Sequence, residues 1–124
     1  MKIPFTASAR TAMLIGTENF SNPEGAIIEL VKNTYDADSP CCYILFDGND
    51  GQITEIYIID YGCGMDISTI QDCWMQIGTD DKQRNVETGN GRIKSGAKGI
   101  GRFALNRLGS MATMLTRKDG QDAF

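Results

Sequence analysis

The sequence predicts an α+β domain with a mixed or antiparallel sheet. Two observations carry this. The segment "NPEGAIIELVKNTYDAD" combines helix-start chemistry with helical hydrophobic spacing, whereas "CYILFDGNDGQITEIYIID" holds two β-rich runs joined by a Gly/Asn/Asp turn. Strands joined by a hairpin, with helices before and after them, imply a layered α+β fold rather than a parallel βαβ sheet. A chain of 124 residues is long enough for one compact domain and can hide roughly two-thirds of its unfolded surface.

The elements follow in order. Residues 8–15 suit a short helix. Asn22, Pro23 and Glu24 read as an N-cap, a first-turn proline and an acid beside the positive end of the helix dipole, opening a helix that runs to about Asp36. The hairpin comes next. Asp66 can cap a helix on which Ile67, Ile70, Trp74 and Ile77 recur at helical spacing. Positions 78–98 read as a long polar loop, "GIGRFALNRLG" as a short helix closed by Gly109, and "MATMLTR" as a further strand. With only "KDGQDAF" after that strand, the sheet reads as unfinished and the domain as incomplete at its C-terminus.

Composition removes several classes of function. No run approaches the 18 apolar residues a membrane span needs, and the N-terminus lacks the apolar stretch of a secretory signal. There is no histidine, which excludes Ser-His-Asp and Cys-His catalysis and the usual zinc spacings. Cys41, Cys42, Cys63 and Cys73 form no Cys-x-x-Cys pair and read as reduced thiols of a cytosolic protein. The net charge of −4 is segregated: positions 82–107 hold seven basic residues and one acid (Glu87), a net +6, and the remainder carries −10. One basic, glycine-rich segment in an acidic domain points to a local polyanion site.

Three patterns are candidates for chemistry. Glu29, Asn33 and Asp36 lie at i, i+4 and i+7 on one helix face. Alone, that stripe suits a solvated face opposite the apolar arc of Ala26, Ile27, Ile28, Leu30, Val31, Thr34, Tyr35 and Ala37. It equally suits a carboxylate base one turn from an amide oxygen able to bind magnesium. Asp60, Gly62 and Gly64 end a strand, where Asp60 can accept from an exocyclic amine and the glycines admit a flat ligand. Gly91, Gly96, Gly99 and Gly101 run into a helix start beside Lys98 and Arg102, a setting for phosphate. The Walker pattern fails there, because Ala97-Lys98-Gly99 stands where Lys-Ser/Thr is required.

Together and in this order, the three patterns resemble the GHKL ATPases of the Bergerat fold. That family includes gyrase B subunits, ninety-kilodalton heat-shock chaperones, MutL and MORC proteins and histidine-kinase catalytic domains. "EGAIIELVKNTYDAD" resembles the first motif, "IIDYGCGM" the second and "GAKGIGRFALNRLG" the third, while "IGTDDK" is similar to the approach to the nucleotide lid in MORC- and MutL-like members. The resemblance implies a two-layer α/β sandwich with helices on one face of a mostly antiparallel sheet, spanning 1–124 with a lid at about 78–100. It implies ATP and Mg2+ as cofactors, ATP hydrolysis with Glu29 as the base that activates water, and Asn33 as the magnesium ligand. The same resemblance assigns ATP contacts to Asn33, Asp36, Ala37, Asp60, Gly62, Gly64, Met65, Gly96, Ala97, Lys98, Gly99, Ile100 and Gly101. It implies a cytoplasmic module that binds ATP and ADP, slowly hydrolyses ATP, works as a homodimer or within a larger multidomain assembly, and gates a larger protein by lid closure or dimerisation. A membrane role is not expected, and this segment does not indicate nucleic acid. Two alternatives remain: a histidine-kinase-type domain passing phosphoryl to a histidine elsewhere, and a degenerate domain serving as an interaction surface. The sequence departs from the family at Lys32, where many members carry an acid, and at Tyr61 and Cys63. The family's later threonine-bearing strand and transducer lysine are not visible before Phe124.

Overall fold

The structure, a computed structural model, describes residues 8, 10, 11, 14, 22–75, 87–95 and 101–123. Within the expected N-terminal helix, Arg10, Thr11 and Leu14 are helical, and its other positions lie outside the described residues except Ser8. The first fully described helix, α1 (Pro23–Asp36), starts as its sequence dictates. The Asn22 side chain accepts the Gly25 N–H at 2.8 Å, with Pro23 and Glu24 in the first turn. It ends in a Schellman turn: Ser39 N donates to Thr34 O and Asp38 N to Tyr35 O, each at 3.1 Å, while Asp38 takes the left-handed conformation at φ 60°.

Strands β1 (Cys42–Asn49) and β2 (Gln52–Asp60) form an antiparallel hairpin around Asp50–Gly51, both at positive φ as tight hairpins favour. Cys42 faces Asp60 and Asn49 faces Gln52, with a register irregularity at Asp47/Gly48. This α+β arrangement agrees with the predicted class; the described sheet is two-stranded and antiparallel. Alternation sorts the strands into two faces. Ile58 packs toward α1, whereas Tyr43, Leu45, Tyr57 and Ile59 are exposed on the opposite face, where the Tyr43 ring meets the Tyr61 ring edge-on at 6.3 Å.

Asp66 caps α2 (Ile67–Thr69), as expected, and the chain then widens into a π-helical turn over Ile70–Trp74 with Met75 N donating to Ile70 O at 2.8 Å. Ile77 lies outside the described residues. A 3-10 turn (Gly101–Ala104) leads into α3 (Leu105–Leu108), closed by the Gly109 N–H on Leu105 O at 3.1 Å. One expectation fails: residues 111–117 form no strand, and Met111 and Leu115 are exposed. β-propensity there finds no backbone ladder among the described residues, and propensity without a partner does not make a strand.

The core is small. Ala26, Leu30 and Ala104 are buried, and Ile58, Leu105 and Leu108 pack around them. On α1 the buried line is Ala26, Leu30, Thr34, at i, i+4 and i+8. The expected apolar arc is therefore too wide: Ile28 (55% exposed) and Tyr35 (45%) point away from the core, because β2 and residues 101–108 cover only one strip of the helix. Leu30 joins the three elements, so Leu30→Ala should cost about 2–3 kcal/mol, read as a lower denaturant midpoint with an unchanged slope.

Candidate functional site

The end of α1 and the end of β2 are stitched together by backbone and hydroxyl bonds. Cys63 N donates to Ala37 O at 2.8 Å. The Ser39 hydroxyl, which is buried, donates to Cys41 O at 2.6 Å and accepts the Tyr61 N–H at 2.8 Å. These bonds set Asp60 beside Ala37. Asp60 Oδ1 accepts the Gly62 N–H at 2.8 Å, which orients the carboxylate, and Oδ2 has no partner among the described residues. A Cβ at Gly62 would run into the Ala37 carbonyl and methyl and into Asp60 Oδ1 at 3.0 Å. The glycine is thus required by the close approach of helix end and strand end.

Glu29, Asn33 and Asp36 are half-buried, flanking the line Ala26–Leu30–Thr34. Their stripe lies beside the core, and the solvated arc of the helix is the one with Ile28 and Tyr35. Glu29 Oε1 accepts from Lys32 Nζ at 2.6 Å. Asp36 Oδ1 accepts from the Ser95 N–H (2.8 Å) and the Ser95 hydroxyl (3.1 Å). Among the described residues no group of three or more Asp, Glu or Cys side chains is gathered for a metal.

The turn 62–66 is held from its far side by residues 116–118. Met65 N donates to Thr116 Oγ1 at 3.0 Å, and Lys118 Nζ lies 2.8 Å from Asp66 Oδ2. Gly64 has φ +65°, and a Cβ there would collide with the Arg117 carbonyl. Asp66 Oδ1 accepts from Thr69 N, Thr69 Oγ1 and Ser68 Oγ. Its carboxyl is held well below the usual range, first by Lys118 and then by Thr69 and Ser68. Sequence reading missed Thr116 and Lys118, which stand more than 50 residues from their partners.

A second missed set lies at 87–95. Glu87 bridges Ile93, and Thr88 N donates to Arg92 O at 2.8 Å. Arg92 was expected to serve a polyanion; instead its Nη1 donates to Ser39 O (2.9 Å) and Tyr35 O (3.2 Å), and its guanidinium stacks 4.8 Å over the Tyr35 ring. Gly96, Ala97, Lys98, Gly99 and Ile100 lie outside the described residues, and Gly101 opens the 3-10 turn whose Ala104 enters the core. The structure therefore brings together Ala37, Asp60 and Gly62, with Gly64 and Met65 on the adjoining turn.

A family model described as "Histidine kinase-, DNA gyrase B-, and HSP90-like ATPase" matches residues 20–123. A protein of Herpetosiphon aurantiacus named "Putative type II restriction enzyme HgiDII" is 32% identical over 101 residues, covering 82% of this chain. The chain spans 16% of that relative's length. No solved structure gives a significant match.

The Asp66 contacts give a pH prediction. A carboxylate depressed in the folded state adds stability that is present above its unfolded value, about 3.9, and is lost as pH falls below it. Asp66→Asn keeps a capping oxygen but loses the charge facing Lys118. Its stability deficit should be constant from pH 7 to about 5 and should shrink on acidification below about 4. Denaturant midpoints across that range test this; a deficit independent of pH refutes it.

Proposed function

The chain belongs to the histidine kinase-, DNA gyrase B- and HSP90-like ATPase family, whose membership implies ATP binding, and from that premise we propose that it is a Mg-ATP-binding, slowly hydrolysing module that gates a larger protein. The observation that carries the reading is the oriented Asp60 carboxylate, fixed by the Gly62 N–H with its second oxygen available, beside the end of the helix bearing Glu29 and Asn33.

In this reading Asp60 accepts the exocyclic amine of adenine, with Gly62, Gly64 and Met65 around the base and Asp36 and Ala37 completing the wall. Glu29 orients a water and takes its proton; Lys32 occupies Oε1 and leaves Oε2 for that task. Asn33 holds magnesium, which when bound neutralises phosphate charge. The lid, about 78–100, offers backbone N–H groups of Gly96, Ala97, Lys98, Gly99, Ile100 and Gly101 to the phosphates. Phosphoryl transfer depends on such positioning and charge stabilisation, and this division of labour is chemically sufficient to bind Mg-ATP. Free Cys41, Cys42 and Cys63 suit a cytoplasmic setting. No helix among the described residues is long and apolar enough to cross a membrane. The similarity to a protein named as a restriction enzyme, of which this module matches 16%, supports a DNA-acting assembly as what is gated, through lid closure or dimerisation.

Calorimetric titration of the full-length protein with Mg-ATP tests the reading. Binding is expected, weakened about tenfold or more by Asp60→Asn. Glu29→Ala should keep binding and lose about 10²–10⁴-fold in phosphate release. Absence of binding, or affinity indifferent to Asp60→Asn, overturns the proposal; transfer of label to protein instead of water favours the histidine-kinase alternative.

A further inference from the structure

We propose that Arg92 and Asp38 are positioning residues that fasten the root of the phosphate-binding segment to the C-terminal end of α1. This rests on the nucleotide reading above; Arg92 lies outside the quoted motifs, and Asp38 closes the first of them without an assigned role. Ser95 directly precedes Gly96 in the chain, so a contact at Ser95 stands one residue from the glycine-rich run.

Seven contacts tie residues 88–95 to the end of α1, two of them at Ser95 itself. Ser95 is bonded to Asp36 through both its N–H and its hydroxyl. Asp38 accepts the Thr88 hydroxyl on Oδ1 and the Asn90 N–H on Oδ2 at 3.0 Å, and its side chain is only 13% exposed. Arg92 Nε lies 3.9 Å from Asp38 Oδ1. Arg92 Nη1 donates to the carbonyl of Tyr35 in the last helical turn, which also accepts the Asp38 N–H, and to the carbonyl of Ser39 just beyond it. A guanidinium at a helix C-terminus also faces the negative end of the dipole.

The backbone at Asp38 supplies independent support. Its φ of 60° falls where Schellman turns ordinarily use glycine, and a non-glycine residue there costs about 1 kcal/mol. A glycine would satisfy the turn at lower cost but would bring no carboxylate to Thr88, Asn90 and Arg92. The aspartate is explained by what it holds. The same helix carries Asn33 and, a further turn back, Glu29, so the tie joins residues 88–95 to the element that bears the proposed base.

Two variants of the full-length protein test the tie. Asp38→Gly removes the carboxylate while relaxing the turn, and Arg92→Ala removes the guanidinium. Mg-ATP affinity should fall about tenfold in each, with Asp38→Gly retaining the wild-type denaturant midpoint. Amide exchange over 88–95 should accelerate in both without nucleotide. Arg92→Lys, which cannot span two carbonyls and the carboxylate together, should recover only part of the affinity. Wild-type affinity and exchange in Asp38→Gly overturn the inference while leaving the nucleotide reading intact. A wild-type protein that does not bind ATP overturns both.

Discussion

Around the candidate site the geometry depends on how α1 ends. Five main-chain and hydroxyl bonds within Thr34–Ser39 and from Ser39 and Ala37 to residues 41, 61 and 63 convert a helix terminus into a junction. The helix stops because Asp38 turns left-handed, and the next residue, Ser39, buries a hydroxyl that donates to the residue before β1 and accepts from the residue after β2. A buried hydroxyl with both functions satisfied costs little and specifies one arrangement. From that junction Asp60 takes its position on one side and Asp36, Asp38 and the carbonyls of Tyr35 and Ser39 take theirs on the other.

The small hydrophobic core makes the polar junction more important. With Ala26, Leu30 and Ala104 the buried apolar side chains among the described residues, apolar packing fixes the distance of residues 101–108 from α1 but says little about rotation or register at the helix end. Alanine at 26 and 104 allows close approach, and Leu30 fills what remains. Hydrogen bonds supply the direction that nonspecific burial lacks. The same holds for turn 62–66, where Gly64 admits the Arg117 carbonyl and Thr116 and Lys118 fix the turn from outside.

Local chemistry was legible in the sequence. The Asn22 cap, the hairpin, the Asp66 cap and the Gly109 stop are each decided by residues within a few positions, and the motifs sufficed to identify the family and its fold. What could not be read was decided at long range. Whether Ile28 and Tyr35 join the core depends on how much of the helix other elements cover, and whether 111–117 pairs as a strand depends on a partner. The partnerships of Asp38 with Asn90 and of Asp66 with Lys118 cross 52 residues each and leave no periodic trace.

The basic segment shows why charge alone is a poor guide to role. Seven cations over 82–107 suggested one anion-facing surface, yet Arg92 faces inward, bound to two helix-end carbonyls, an aromatic ring and a carboxylate. In the proposed reading a cation held this way serves the phosphate site indirectly: it neutralises Asp38 and the end of the α1 dipole, which would otherwise repel phosphate. The acids of "YDAD" lie beside a pocket proposed for a tetra-anionic ligand, an arrangement electrostatically adverse unless they are engaged. Ser95 on Asp36, and Thr88, Asn90 and Arg92 on Asp38, provide that engagement. These partners come from one stretch, residues 88–95, so a single segment of the chain meets both helix-end acids.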